Sequence, residues 1–419
     1  MRRWHALAIG AALMIGHAAV AQKAPAASVL IPGSEIDVTL VTIGLGEEVF
    51  ERFGHDALIF RNSVTGQSVA YHWGQFSFEQ PGFLRRFLTG DTKYWMGADD
   101  PKALIERERM RGRPVTLQLL NLSPAQSLAL LNAVQENARE ENKYYRYDYF
   151  RDNCATRLRD AIDKAVGGAI RRQTEHVPTE MSFRRESVRL TAGDPPVQAG
   201  IDVALGRPAD VPITEWQSFF IPMRLRDAAR TLRIPVAEGL DVPLVAREQT
   251  VNPPQGIPQI PELAQAPRVA PHYIVVSLLL AMLVVGLRIM MVSRREAAWG
   301  LALVGATWSL ICGVLGVVLL LAWIATKHVF WAYNENVLLL TPLSLALVVL
   351  IPVALLLGKG ERSARMVASV IAAMGLVSLC LAIIPGGQES RGVVVLLLPT
   401  QLAIAWALAL PVRTRIQAA

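Results

Sequence analysis

Hydrophobic and polar positions divide the chain into four stretches. From Ala6 to Val20 the residues form one short apolar run, behind Arg2 and Arg3 and ahead of Ala19-Val-Ala21. That layout predicts a secretory signal peptide over 1–21, cleaved before Gln22. From 22 to 235 apolar residues recur with the periods of strands and amphipathic helices, which reads as a globular domain. Pro243, Pro253, Pro254, Pro258, Pro261, Pro267 and Pro271 then predict an extended, Pro-rich linker over 236–271. Beyond it come His272–Met291, Trp299–Thr326, Val337–Leu357, Met366–Ile384 and Gly392–Val412. Each approaches or exceeds the roughly 20 apolar residues that cross a bilayer, so 272–412 predicts five membrane helices and 413–419 a tail.

Composition agrees with this division. Of 419 residues, 52% are hydrophobic and 18% charged, where a soluble domain carries about 25% charged residues. The net charge of +7 is also unevenly placed: residues 22–270 hold 30 Lys and Arg against 31 Asp and Glu. The excess lies beside the apolar runs, which makes it a topology signal and excludes a basic nucleic-acid surface. With the globular domain outside, the inner-facing segments carry Arg294, Arg295, Lys359, Arg362, Arg365, Arg413 and Arg415, and the outer loops only Lys327 and Arg391. That is the positive-inside distribution, and the signal peptide predicts the same orientation. The expectation is a multi-pass protein of the bacterial inner membrane with its globular domain in the periplasm.

Three cysteines are present, and Cys154 alone falls in the exported domain, so no intramolecular disulfide can form there. Such a thiol is either a buried structural residue or a nucleophile. Asn153 is placed to cap a helix running from Cys154 to a stop at Gly167-Gly168. Cys154 would then lie in the first turn, where unpaired N–H groups and the helix dipole favour a thiolate and can receive an oxyanion. A base is also needed. His5 and His17 fall in the signal peptide, His272 opens a span, His328 lies between two others, and His176 lies in polar sequence that reads as surface. His55 and His72 remain. A turn at Ser63-Val-Thr-Gly66 that pairs Asn62 with Gln67 would put them diagonally opposed on one face of a hairpin. One imidazole could act as base while the other sets its tautomer.

His-then-Cys order, with the Cys opening a helix in Asp-Asn-Cys, resembles circularly permuted papain-like enzymes of the NlpC and lecithin:retinol acyltransferase type. More narrowly, the chain resembles the Lnb family of bacterial lipoprotein N-acyltransferases. The resemblance rests on Phe53-Gly-His55, Tyr71-His-Trp-Gly-Gln-Phe-Ser-Phe78, Phe83-Leu-Arg-Arg-Phe-Leu-Thr-Gly90, Tyr147-Asp-Tyr-Phe-Arg-Asp-Asn-Cys154 and Gly206-Arg-Pro-Ala-Asp210. It extends to Thr326-Lys-His328 and Asn334-Glu-Asn-Val-Leu-Leu339. It implies an α+β fold, a circularly permuted papain-like periplasmic domain followed by an all-α domain of five transmembrane helices. It also implies ping-pong acyl transfer without metal or other cofactor. Cys154 would be the nucleophile, His55 the general base and His72 the orienting group, where many relatives carry Asn. The partners implied are a membrane phospholipid as donor and the α-amino group of a diacylglyceryl-cysteine lipoprotein as acceptor.

The candidate substrate contacts are Tyr147, Asp148, Asn153, His328, Asn334 and Asn336. Tyr147 and Asp148 either bond within the site or brace its loop. His328, Asn334 and Asn336 either bind head groups or anchor at the bilayer surface beside Trp331 and Tyr333. Phe76, Phe78, Phe83 and Phe87 read mainly as core, with a lipid-facing surface as the alternative. Two rival functions stay open: a membrane-anchored cysteine peptidase or amidase acting on peptidoglycan, and a non-catalytic lipid or lipoprotein binder.

Overall fold

The computed structural model describes residues 31–265 and 270–411; the expected signal peptide and tail lie outside them. The first domain is built on a seven-stranded antiparallel sheet. Its strands are β1 (Ile36–Ile43), β2 (His55–Asn62), β3 (Ser68–Gln75), β4 (Lys93–Asp99), β5 (Val115–Leu120) and β6 (Tyr144–Arg146). Two short pairs follow, β7 (Pro178–Ser182) with β8 (Pro212–Thr214) and β9 (Arg233–Ala237) with β10 (Leu240–Pro243), and the last strand is β11 (Val245–Val251). The order in the main sheet is β11-β5-β1-β2-β3-β4-β6. β11 pairs with β5 from Val245 to Val251, so the domain takes in the first part of the stretch expected to be linker. Further along, Glu262 lies 3.4 Å from Arg189, and Gly112 packs against the carbonyl of Pro258. Tertiary partners, Val115–Leu120 for β11 and Arg189 for Glu262, outweigh proline content here.

Among the described residues nine α-helices accompany the sheet: α1 (Phe83–Thr89), α2 (Pro101–Met110), α3 (Pro124–Asn137), α4 (Cys154–Ala165), α5 (Ala169–Thr174), α6 (Phe183–Thr191), α7 (Pro195–Ala204), α8 (Glu215–Ser218) and α9 (Pro222–Ala229). α3 opens with a reciprocal capping box between Ser123 and Gln126. α4 buries Leu158 and Ile162 completely, in one core with Val38, Leu40, Leu58 and Phe60 of the sheet. Each such side chain contributes roughly 1.5–3 kcal/mol by leaving water, and that packing holds the first turn of α4 against β2 and β3.

The second domain is helical: α10 (Pro271–Met290), α11 (Glu296–Ala325), α12 (Ser344–Leu357), α13 (Glu361–Ile383) and α14 (Arg391–Ala409). Four of these are long and apolar enough to cross a membrane. The third expected span is not: α12 has 14 residues where 337–357 reads as one helix. Pro342 and a 3-10 turn at Glu335–Leu338 interrupt it. The resulting irregular backbone is covered by protein, as apolar surroundings require. Gln401 donates to the Leu339 carbonyl at 2.6 Å, and Gly316 lies so close to the Leu340 carbonyl that a Cβ would stand 2.0 Å from its oxygen.

Candidate active site

The β2–β3 hairpin turns at Gly66, with φ of 74°, and Asn62 Oδ1 accepts from the amides of Val64 and Thr65 to close it. The Asn62 amide meets the Gln67 carbonyl at 2.8 Å, and Leu58 pairs with Tyr71, which is the expected register. His55 Nε2 therefore comes to 2.8 Å from His72 Nδ1. After His72 the pairing of β3 with β4 shifts at a bulge, and Gly74 takes φ of 92°. A Cβ there would lie 3.5 Å from Cys154 Cβ and 4.0 Å from His55 Cε1. Gly74 thus keeps open the space between thiol and imidazole, a role its place in the Tyr71–Phe78 motif did not reveal.

Cys154 is the first residue of α4. Asn153 caps it: Oδ1 accepts from Thr156 N at 2.9 Å, and Thr156 Oγ1 accepts from Asn153 N at 2.8 Å. The Asn153 amide also donates to the carbonyls of Tyr149 and Phe220. With its hydrogen-bonding groups committed, Asn153 positions α4 and is not free to bind substrate. The thiol is 8% exposed, and burial, followed by the nearby Asp56 carboxylate, pushes it up to about 12. The backbone N–H groups of Asp56, Ala155 and Cys154 act the other way, and burial outweighs them. Burial therefore opposes the thiolate that the first-turn position favours. The same N–H groups remain suitably placed for an oxyanion.

His55 is held well below its ordinary value, first by desolvation and then by His72, Arg113 and Arg107, so its imidazole rests neutral and able to accept a proton. Its Nδ1 makes no hydrogen bond among the described residues. On the far side of the pair, His72 Nε2 lies 3.0 Å from the Gln75 amide and 3.5 Å from Asp99 Oδ2. Desolvation lowers His72 as well, with Asp99 opposing. Asp99 is in turn 3.0 Å from Arg107. Neither Asp99 nor Gln75 is marked by a local sequence signal.

A cavity of about 490 Å³ opens over Cys154 and His55, walled by Phe50, Phe53, Phe76, Tyr94, Tyr147 and Tyr149 among others. Tyr147 stacks on Tyr94 with centroids 4.2 Å apart. Asp148 borders the cavity and also braces its loop, accepting from the amides of Phe150 and Arg151. Phe76, Phe78, Phe83 and Phe87 all line this cavity; Phe78 is 67% exposed and Phe87 47%. They form an open apolar rim, not the core expected of them, because α1 has no buried face.

The rim continues onto the second domain through Lys327, His328, Val329 and Trp331. His328 Nε2 sits 3.0 Å from the Phe87 carbonyl, its ring stacked on Trp331 at 5.0 Å. Lys327 N donates to Thr89 O at 2.8 Å, and its ammonium pairs with Asp91 at 2.8 Å. Asn334 and Asn336 have a different place. They are 1% and 0% exposed, and their amides donate to the carbonyls of Asp202, Val203 and Ala204. Gln388 donates to Leu205 O in the same way. The last carbonyls of α7, which a helix cannot satisfy internally, are thus satisfied by amides of the membrane domain. This corrects the head-group reading for both asparagines. Gly206 completes the junction: its amide donates to Phe330 O at 2.7 Å, and a Cβ would stand 2.1 Å from Ala332 O.

An α+β domain clamped to apolar helices, four of them long enough to cross a bilayer, defines a membrane-anchored protein. Residues 30–185 match the Lnb N-terminal periplasmic domain, and residues 266–412 match the Lnb transmembrane domain. The chain belongs to the Lnb family and is a membrane protein with a periplasmic domain. No curated protein and no solved structure matches it.

Proposed function

We propose that this protein is a lipoprotein N-acyltransferase of the bacterial inner membrane. The observation that carries the reading is the aromatic cavity, which joins Cys154 and His55 to the membrane-domain loop at Lys327–Trp331. Its wall suits a fatty-acyl chain better than a polar glycopeptide, which ranks the peptidoglycan amidase second. In the first half-reaction Cys154 Sγ attacks the ester carbonyl of a phospholipid while its proton passes to His55 Nδ1. The carbonyl oxygen takes its negative charge toward the N–H groups of Asp56 and Ala155. Collapse expels the lysophospholipid alcohol, protonated by His55, and leaves a thioester on Cys154. In the second, the α-amino group of a diacylglyceryl-cysteine attacks that thioester, His55 takes the amine proton, and the thiol is restored. The bond made and the bond broken are both acyl bonds of similar energy, so no further co-reactant enters the balance.

Tyr147 and Asp148, beside the thiol, are the candidate contacts with the reacting ester, and His328 with the head group. The test is intact mass spectrometry after incubation with phospholipid and no acceptor. An increase of one fatty-acyl group on Cys154, released by neutral hydroxylamine, is expected. Acyl transfer to a lipopeptide by a Cys154→Ala variant would overturn the reading.

A further inference from the structure

A second cavity shares a wall with the first. Ile201 and Ala204 of α7, with Leu205 just beyond it, face the aromatic cavity. Ala199, Gly200, Val203 and again Ala204 face a groove of about 360 Å³ whose other side is α11 and α14. Trp331 also belongs to both cavities. The groove wall presents no polar surface. It opens sideways between helices: Ile311 is 48% exposed and Val318 42%. Its size falls within the roughly 300–1,000 Å³ of ordinary ligand sites.

We propose that this groove holds an acyl chain of the diacylglyceryl acceptor; the inference rests on the proposed function. Occupancy argues for the acceptor over the donor. A phospholipid reaches a thiol whose aromatic cavity is empty, and can place its reacting chain there. The acceptor reaches an acyl-enzyme whose cavity already holds the transferred chain. Its amine must still approach the thioester carbonyl, while its own chains must stay in apolar surroundings. The groove lies beyond the thin partition of Ala204 and Trp331, is continuous with the lipid-facing side of α11, and offers no group to bind a head group. A chain lying there would leave the polar end of the acceptor on the catalytic side.

Gly200 allows the groove to be filled from within. It is exposed on α7, and a Cβ there meets nothing within 4 Å. Gly200→Leu and Gly200→Trp in the full-length protein should each be read in two half-reactions. One is adduct formation on Cys154 from dioleoyl phosphatidylethanolamine vesicles. The other is transfer from the preformed adduct to a dipalmitoylglyceryl-cysteine peptide. Transfer should fall by about tenfold or more, as expected when a pocket rejects an apolar substituent, with adduct formation little changed. A dibutyryl acceptor should be insensitive to the substitution. Unchanged transfer in both variants, or equal slowing of both half-reactions in a variant that melts like wild type, would overturn the groove assignment. Failure of the wild-type protein to form any adduct would overturn the proposed function itself.

Discussion

His55 Nε2 and His72 Nδ1 lie 2.8 Å apart, so one ring donates to the other and the choice fixes both outer nitrogens. If His72 Nε2 carries its proton toward Asp99, His72 Nδ1 must accept from His55 Nε2–H. His55 Nδ1 is then the free lone pair that can take a proton from Cys154. The opposite chain leaves a proton on His55 Nδ1 and no base. A carboxylate is the stronger acceptor for an N–H, so Asp99 favours this arrangement, and the Gln75 side chain, 3.0 Å from the same nitrogen, supports it when its amide is turned to present the oxygen.

Asp99→Ala should therefore slow the reaction by about 10- to 100-fold, the range for outer partners that fix a functional imidazole. The thioester should still form, with the loss in kcat and not in KM. His72→Ala should cost at least as much, and His72→Asn should recover part of it, since an amide can also hold the His55 ring. Full activity in Asp99→Ala would show that Asp99 does not set the tautomer.

Removing the base itself costs more. His55→Ala should lower the rate by about 10²- to 10⁴-fold, the usual contribution of a general base. Cys154→Ser should be equally inactive, because thiol and imidazole act as one unit. Both variants should melt as wild type in detergent. An active His55→Ala would assign proton transfer to another group.

Burial pushes the Cys154 thiol up to about 12 and holds His55 well below its ordinary value. Iodoacetamide alkylation of Cys154 should thus be slow at pH 7 and keep climbing through pH 10, without a plateau. The acid limb of the pH–rate profile reports the conjugate acid of His55, so it should fall below pH 6.5. A plateau of alkylation near neutrality would instead indicate a preformed thiolate–imidazolium pair.

Asp56 is buried beside this thiol; Thr42 donates to Oδ1 at 2.8 Å and Oδ2 has no partner among the described residues. Burial raises its carboxyl to about 7. The folded state therefore keeps a proton that the unfolded chain has already lost, and stability falls as pH rises from about 4 to 7. The slope is at most about 1.4 kcal/mol per pH unit. Asp56→Asn should remove that slope, so its melting temperature should gain on wild type across the window. It should also speed alkylation of Cys154 at pH 8, where the wild-type carboxylate is charged, and hardly at pH 5. Parallel melting curves over pH 4–7 would refute the assignment.

Asn334 and Asn336 join the two domains through buried carbonyls of α7. Asn336→Ala should cost about 1–3 kcal/mol, the usual penalty for leaving buried polar groups unpaired. The loss should appear as a lower melting temperature, with KM for phospholipid vesicles unchanged. A raised KM at unaltered stability would restore the head-group role.

Sequence alone determined the features set by neighbours in the chain. Turn chemistry at Asn62–Gly66 set the hairpin register and so the meeting of His55 with His72; the Asn153 cap placed Cys154 at the start of α4; continuous apolar runs located four long membrane helices. Tertiary structure decided what depends on distant partners. Asn336 beside a span has the same local sequence whether it meets lipid head groups or the carbonyls of Asp202 and Val203, 133 and more residues away. The phenylalanines near α1 have an apolar pattern, yet whether they pack inside or rim a cavity depends on the loop at Lys327–Trp331 folding against them. A first-turn cysteine invites a thiolate by helix electrostatics, but desolvation by the surrounding core is the larger effect, and only the assembled fold determines it.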